Sequence, residues 1–357
     1  MKLNMDMVML PKLVKKLPKK DKKIFHRIFE VEVVVGRLKI PPTLKSFAKE
    51  RFGSLKAVKK QTIVKVVNKV TFEGAFYNQL RALRTAKKQE TQPPTFTEEK
   101  CMLCNPKNQT AEDVFGRIES AYTTTAANIA KYDGWHSLII PRKHNPLKLS
   151  LKELLDGFKT AVQWFKRVNR EDSRAVFPYL IWNCLWRAGA SQNHSHFQVM
   201  MSRKPYPKPE YLRLCMERYR ETYGSNYLQD LYHIHRVLGL GLTYGGVKVF
   251  VYLTPIKEKE VFMFTHNWNR NLPKVIHKVL EAYKSLNVYS FNLSMVFPPA
   301  KKVNGWDDFP YIVRIVDRGL LNQNVSDIGA MELYASSIIA SNPFNIAERI
   351  KGFLASP

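Results

Sequence analysis

The stretch Gly189-Ala190-Ser191-Gln192-Asn193-His194-Ser195-His196-Phe197-Gln198 decides how this chain is interpreted. Residues 194–201 have the composition of a β-strand, in which alternate side chains face the same way. His194, His196 and Gln198 are therefore expected on one face, and three such polar groups are costly to bury without a chemical role. Small residues just upstream let a phosphate approach the backbone. The stretch indicates a phosphate-handling site rather than an exposed polar strand.

Two cysteines and a further histidine have the spacing of a metal site. Cys101 and Cys104 form a C-x-x-C pair, which is typical of a zinc knuckle or of a redox dithiol. The Asn-Pro-Lys that follows favours the knuckle. His144 and His194 supply two more ligands, which leaves His196 free. Four protein ligands leave no open position, so the zinc would be structural, and a neutral, unligated His196 could act as a nucleophile.

Composition excludes several protein classes and singles out the N-terminus. The 357 residues are 45% hydrophobic, which excludes a mostly disordered chain, and four cysteines exclude a disulfide scaffold. No uninterrupted apolar run is long enough to span a membrane, and no secretory signal is visible, so we expect a cytoplasmic protein without a membrane partner. Residues 1–100 carry 24 Lys and Arg against 9 Asp and Glu, out of a net charge of +27. This pattern predicts a basic N-terminal extension, which is compatible with a solvated segment or with binding to polyanions or nucleic acid.

The hydrophobic pattern predicts a mixed α and β protein. Ser150 and Glu153 fit a capping box at the start of an amphipathic helix. Asn342 followed by Pro343 predicts the start of a C-terminal helix. The order strand, strand, helix, strand, strand occurs twice, which indicates a duplicated α+β unit.

These residues resemble the histidine-triad (HIT) superfamily, in its galactose-1-phosphate uridylyltransferase and nucleotide phosphorylase branch. His194-Ser195-His196-Phe197-Gln198 is similar to that branch's His-x-His-x-Gln, and Cys101 to Cys104 is similar to its zinc knuckle. The resemblance implies an α+β fold with a duplicated HIT-like unit and antiparallel sheets with helices packed on one face, and the basic N-terminal extension lies outside the resembling core. The implied domains are 1–61 for the extension, 62–215 for the HIT-like half with both motifs, and 216–357 for the second half.

The resemblance also implies an enzyme, a nucleotidyltransferase, and assigns roles to residues. His196 would form a covalent nucleotidyl-histidine with Gln198 as its catalytic partner, and Zn²⁺ would be bound by Cys101, Cys104, His144 and His194. Substrate contacts would come from Arg81, Arg84, Asn128, Asn183, Ser191 and Glu332. The expected partner is a nucleotide or nucleotide-sugar substrate, and a homodimer is compatible with the family.

Departures from the family pattern bear on specificity. The late strand at 311–316 contains no histidine, so the second metal site of the uridylyltransferases is not expected. Ile338 stands where the family has a sugar-contacting Gln, so we do not expect galactose specificity. The Gly-Ala-Ser-Gln run is closer to phosphorylase relatives, which use dinucleoside polyphosphates or nucleotide sugars.

One alternative of another class remains. The charge is compatible with a nucleic-acid-associated HIT-fold protein that binds or processes nucleotide-adducted DNA or RNA ends. The sequence shows no interleaved aromatic and basic stripe, which counts against that alternative. Among the other histidines, His136 is assigned to the core or its rim, and His235 is assigned a structural or surface role.

Overall fold

The computed structural model describes residues 5–78, 80–81, 94, 96–322 and 328–356. The α-helices in these residues are α1 (Leu10–Lys16), α2 (Lys19–Ile28), α3 (Lys45–Phe52), α4 (Leu55–Lys59), α5 (Pro106–Gln109), α6 (Leu151–Glu171), α7 (Pro207–Tyr223), α8 (Tyr227–Val237), α9 (Asn271–Ser285), α10 (Met331–Tyr334) and α11 (Pro343–Ala355). None of them combines the length and apolar character that a membrane crossing requires.

The strands form two sheets. They are β1 (Phe29–Arg37), β2 (Lys60–Asn68), β3 (Gly74–Tyr77), β4 (Thr123–Ala127), β5 (Trp135–Pro141), β6 (Phe177–Cys184), β7 (Phe197–Ser202), β8 (Gly241–Tyr244), β9 (Val247–Val251), β10 (Val261–Thr265), β11 (Phe291–Val296), β12 (Tyr311–Asp317) and β13 (Ser337–Ile339). The larger sheet has the order β4-β5-β7-β6-β11-β12-β10-β9-β8, and the smaller has the order β1-β2-β3-β13.

The larger sheet consists of two related halves that meet at β6 and β11. On each side the inner strand, β6 or β11, pairs with the strand that follows it, β7 or β12. That strand pairs in turn with the strand before the helix, β5 or β10. All pairs in this sheet are antiparallel, and β6 pairs with β11 across the junction. The duplicated α+β unit predicted from the sequence is confirmed.

The two equivalent helices, α6 and α9, cover the sheet and bury its core. The predicted capping box is present, since the Ser150 hydroxyl accepts from the Glu153 amide and the Glu153 carboxylate accepts from Ser150. The predicted cap at Asn342 is also present, with its side chain accepting from the Phe344 amide. Trp164 and Phe158 of α6 are fully buried, so this helix is fixed against the strands that carry the candidate site.

The N-terminal residues pack into the same core. Leu10, Phe25 and Phe29 have no exposed surface and belong to the main hydrophobic cluster. The predicted domain limits at residues 61 and 215 stay predictions. A smaller unit lies at the end of the β1–β2 hairpin, where Ile40, Ala48 and Val58 form a separate core.

The hairpin-tip unit, residues 37–60, is strongly basic. It contains eight Lys and Arg residues and a single acidic residue, Glu50. Phe47 and Leu44 are also exposed there, at 56% and 47%. Part of the positive charge of the N-terminal region therefore lies on a small folded unit.

One predicted strand begins later than expected. The sequence predicts a strand from His194, whereas β7 begins at Phe197. The Ser195 amide and hydroxyl donate to the carbonyls of His144 and Lys143, so these bonds hold residues 194–196 against the loop after β5. His194 and His196 therefore lie in the connection before β7.

Candidate active site

The four predicted metal ligands converge at one end of the larger sheet. The ligand atoms of Cys101, Cys104, His144 and His194 all lie within 4.8 Å of one another. Cys101 precedes a turn of 3-10 helix at 102–104 and Cys104 ends it, whereas His144 follows β5 and His194 precedes β7. Segments distant in sequence thus meet at a single cluster.

The separations within this cluster fit a tetrahedral zinc ion. Zinc bound at about 2.3 Å by sulfur and about 2.05 Å by nitrogen sets the S···N edges at about 3.6 Å and the N···N edge at about 3.3 Å. The Cys104 Sγ lies 3.3 Å from His144 Nδ1 and 3.4 Å from His194 Nδ1. The Cys101 Sγ lies 3.6 Å from His194 Nδ1, and the two Nδ1 atoms are 3.2 Å apart. The donor set and its dimensions suit zinc.

A backbone carbonyl orients one of these ligands. The His194 Nε2 donates to the Pro141 carbonyl at 2.8 Å, which leaves Nδ1 as the ligand atom. Metal-bound histidines usually make such a bond with their other nitrogen, because it fixes the ring and its tautomer. The cluster of candidate ligands therefore also holds in place the segment that leads to His196.

His196 is buried and held in one tautomer. Its Nδ1 lies 2.8 Å from the His194 carbonyl, and since a carbonyl only accepts, Nδ1 carries the hydrogen. In the neutral ring the lone pair is then on Nε2, which makes no hydrogen bond within the described residues. Burial lowers the pKa of His196 below its usual value near 6.5. The ring is thus neutral, which is the state that the predicted nucleophilic role requires.

Gln198 is oriented by His136, which the sequence did not assign to the site. The Tyr132 amide donates to His136 Nδ1 at 3.0 Å, so the His136 Nε2 carries the hydrogen and donates to Gln198 Oε1 at 2.9 Å. The amino group of Gln198 then faces away from His136 and is available to donate. His136 is fully buried, and burial lowers its pKa, which keeps it neutral.

Asn183 and Asn128 lie close to these groups. The β6–β7 register pairs Ile181 with Gln198, and Asn183 lies two residues further along β6. Because alternate residues of a strand share a face, Asn183 faces the same side of the sheet as Gln198. The Asn128 Nδ2 lies 3.3 Å from His136 Nε2, the atom that binds Gln198. The structure therefore places both asparagines near Gln198.

The other predicted substrate contacts are less directly connected to the site. Ser191 is exposed in the loop before His194, and Arg81 is exposed after β3. Arg84 lies outside the described residues. Glu332 in α10 accepts from the Lys257 Nζ at 3.0 Å and from the Gly329 amide at 2.8 Å. These four assignments stay predictions.

Solved structures share this architecture. An ADP-glucose phosphorylase from Arabidopsis thaliana with bound ADP-glucose matches with a TM-score of 0.61 and 16% identity, over 80% of this chain and 97% of that chain. A galt-like protein from Arabidopsis thaliana matches with a TM-score of 0.58 and 16% identity, over 72% and 93% of the two chains. A uridylyltransferase matches with a TM-score of 0.58 and 13% identity, over 81% and 97%.

Comparison by sequence gives no match. No protein-family model matches the chain, and neither does any curated protein. The similarity is therefore one of fold, and it agrees with the resemblance noted in the sequence. The chain shares its fold with the ADP-glucose phosphorylase, the galt-like protein and the uridylyltransferase.

Proposed function

We propose that this chain is a nucleotidyltransferase or nucleotide-sugar phosphorylase that works through a covalent nucleotidyl-histidine on His196. The observation that carries the proposal is the hydrogen bond from His196 Nδ1 to the His194 carbonyl. It leaves the Nε2 lone pair free at a buried position two residues before Gln198. The named activities of the structural relatives support nucleotidyl transfer in general.

The first half-reaction transfers the nucleotidyl group to the protein. The His196 Nε2 lone pair attacks the α-phosphorus, a P–N bond forms, and the P–O bond to the leaving phosphate group breaks. The imidazole becomes positively charged, and the Nδ1–H stays bonded to the His194 carbonyl, which stabilises that charge. In the second half-reaction an acceptor phosphate oxygen attacks phosphorus and the P–N bond breaks, which regenerates the neutral His196.

Two amide groups would stabilise charge on the phosphoryl oxygens. Gln198 presents its amino group because its Oε1 is held by His136. Asn183 lies on the same face of the neighbouring strand. Donors that are fixed in advance stabilise developing charge without the cost of reorganisation, so they lower the barrier.

The zinc ion would have a structural part. Bound by Cys101, Cys104, His144 and His194, it would supply a rigid link between the 3-10 turn, the loop after β5 and the segment before β7. We expect about one zinc per chain, measured by elemental analysis. Cys101→Ser should lose it, together with stability against heat. A fully folded, metal-free wild type would contradict this assignment.

The donor is proposed to be a nucleotide sugar or a dinucleoside polyphosphate. Inorganic phosphate or a sugar phosphate would be the acceptor, and galactose is not the expected sugar, because Ile338 stands where the family has a Gln. The alternative, a nucleic-acid-associated protein acting on adducted ends, gains no support from the structural relatives.

The test is covalent labelling. The protein is incubated with α-³²P-labelled ATP, UDP-glucose, ADP-glucose, a GDP-sugar and a dinucleoside polyphosphate, and acid-labile label on the chain is measured. We expect at least one donor to label the wild type and His196→Ala to stay unlabelled. The exposed His26 provides a matched control, since His26→Ala should label normally. No label from any donor, or label retained by His196→Ala, would refute the mechanism.

A further inference from the structure

Two asparagines face each other where the halves of the larger sheet meet. Asn183 in β6 is directly opposite Asn292 in β11 in the antiparallel register. The Asn292 Nδ2 donates to the Asn183 Oδ1 at 2.7 Å. Asn183 belongs to the half that carries His196, whereas Asn292 belongs to the other half. A side chain of the C-terminal half therefore contacts the proposed active site.

The orientation of the Asn292 amide is determined by two further partners. Its Nδ2 also donates to the Ala188 carbonyl at 2.8 Å, and a carbonyl can only accept. Its Oδ1 accepts from the Arg318 guanidinium, which can only donate. If the Asn292 amide were flipped, its oxygen would face the Ala188 carbonyl oxygen and its amino group would face the Arg318 guanidinium. These partners therefore exclude the opposite assignment of oxygen and nitrogen in Asn292.

This orientation determines what Asn183 can do. Because the Asn292 Nδ2 donates, Asn183 must turn its Oδ1 toward Asn292 and its amino group away. Within the described part of the chain, that amino group makes no hydrogen bond. Asn183 lies two residues along β6 from Ile181, which is paired with Gln198, so it faces the same side of the sheet as Gln198. Asn183 therefore presents a hydrogen-bond donor, and not an acceptor, on the face that carries Gln198.

We propose that Asn292 is a positioning residue, which holds Asn183 so that its amino group donates to a non-bridging oxygen of the α-phosphate. The inference rests on the proposed nucleotidyl transfer and adds a requirement for the C-terminal half. Ala188 and Arg318 act with Asn292 as the supports of this orientation.

Asn292→Asp tests the orientation with almost no change in shape. The carboxylate keeps its contact with Arg318 but has no hydrogen to donate to Asn183 or to the Ala188 carbonyl. Asn183 then gains by turning its amino group toward the carboxylate, which places its oxygen toward the phosphate. Loss of one donor of this kind slows the chemical step by roughly 100-fold. We expect that loss in the rate of covalent labelling.

A sulfur substitution separates positioning from a general structural effect. The probes are the two diastereomers of the labelling donor, each with sulfur in place of one non-bridging α-phosphate oxygen. In the wild type, one diastereomer should react more slowly, since sulfur accepts the Asn183 hydrogen bond poorly. In Asn292→Asp that difference should shrink, because the bond is already lost. A merely damaged fold would slow both diastereomers equally and keep their ratio.

Matched variants complete the test. Ser294 lies two residues further along β11 and contacts the Tyr179 hydroxyl at 2.6 Å, so Ser294→Ala should keep the wild-type ratio. Asn183→Asp removes the donor directly, so it should reproduce the loss even if Asn292→Asp does not fold. Wild-type labelling with normal rate and ratio in Asn292→Asp would overturn the inference. A wild type that labels with no donor would overturn the proposed function instead.

Discussion

Gly157 in α6 lies against the strand that carries the site, and its replacement by alanine tests how tightly that strand is held. A Cβ at residue 157 would lie 2.6 Å from Cε2 and 3.3 Å from Cδ2 of Phe197. Phe197 stands between His196 and Gln198 in the sequence and is 1% exposed. The contact therefore connects a helix position with the two proposed catalytic residues.

The magnitude follows from the overlap. Carbon atoms in contact are usually about 3.5–4.0 Å apart, so the Phe197 ring would have to move by about 1 Å. Phe158 stacks on that ring at 5.8 Å and Trp182 meets it edge-on at 4.8 Å, which leaves it little room. Overpacking of this kind costs about 1–3 kcal/mol, and alanine in a helix returns about 1 kcal/mol. We expect a net loss of stability of up to about 2 kcal/mol.

The chain supplies a matched control in another helix. A Cβ added to Gly352 of α11 meets no atom within 4 Å, so Gly352→Ala should stabilise the protein by about 0.5–1 kcal/mol. Urea unfolding followed by tryptophan fluorescence measures both changes. Gly157→Ala should also label more slowly, because the ring that moves lies next to His196. If Gly157→Ala is stabilised as much as Gly352→Ala, the packing argument is wrong.

Three other predictions concern the site, acid stability and the basic surface. His136→Phe keeps a ring but removes the donor to Gln198, so covalent labelling should slow roughly tenfold, and an unchanged rate would contradict its positioning role. Burial lowers the pKa of His235 to about 3, so the unfolded chain binds a proton below about pH 6.5 that the folded chain refuses. This group should then lower the free energy of unfolding by about 1.4 kcal/mol for each pH unit as the pH drops toward 3. Urea unfolding at pH 4–7 should show that the free energy of unfolding of His235→Gln depends less steeply on pH than that of the wild type. If the hairpin-tip unit, residues 37–60, binds nucleic acid, replacing four of its lysines by glutamine should weaken the salt dependence of binding to a generic oligonucleotide. The slope of the logarithm of the binding constant against the logarithm of the salt concentration should become about 3–4 units less negative. The control with equal charge change lies in α1 and α2, and equal losses in both would show that only net charge matters. The variants replace Lys39, Lys45, Lys49 and Lys56 in the unit, and Lys15, Lys16, Lys19 and Lys20 in the control.

The convergence of the four candidate metal ligands could be predicted because its signals are local. The C-x-x-C spacing and the alternating histidines are properties of short segments, and the four predicted ligands meet in the structure. The predicted strand was less exact, since β7 begins at Phe197. Ser195 donates to carbonyls after β5, and such long-range bonds leave no pattern in the sequence.

The residues that orient the site could not be predicted. His136 lies in a buried strand, and its function depends on the pairing of β5 with β7 and on the Tyr132 amide. Asn292 lies 109 residues from Asn183, and its significance appears only when β11 pairs with β6. A single polar residue in an apolar strand is equally consistent with an exposed edge, so the sequence alone offers no reason to select it.

The duplicated sheet also explains why one half carries the proposed chemistry. Directly opposite residues share a face, and one row of such pairs contains Gln198, Ile181, Ser294 and Arg314. Because the halves meet between β6 and β11, Gln198 and Arg314 occupy equivalent places. Arg314 contacts Glu260, which is fully buried, and Glu73 in the turn between β2 and β3. A buried charge that loses its partner costs several kcal/mol, so these three residues require one another. The turn of the smaller sheet that carries Glu73 therefore stabilises the half without the histidine pair, and the proposed nucleophile belongs to the half that carries His196.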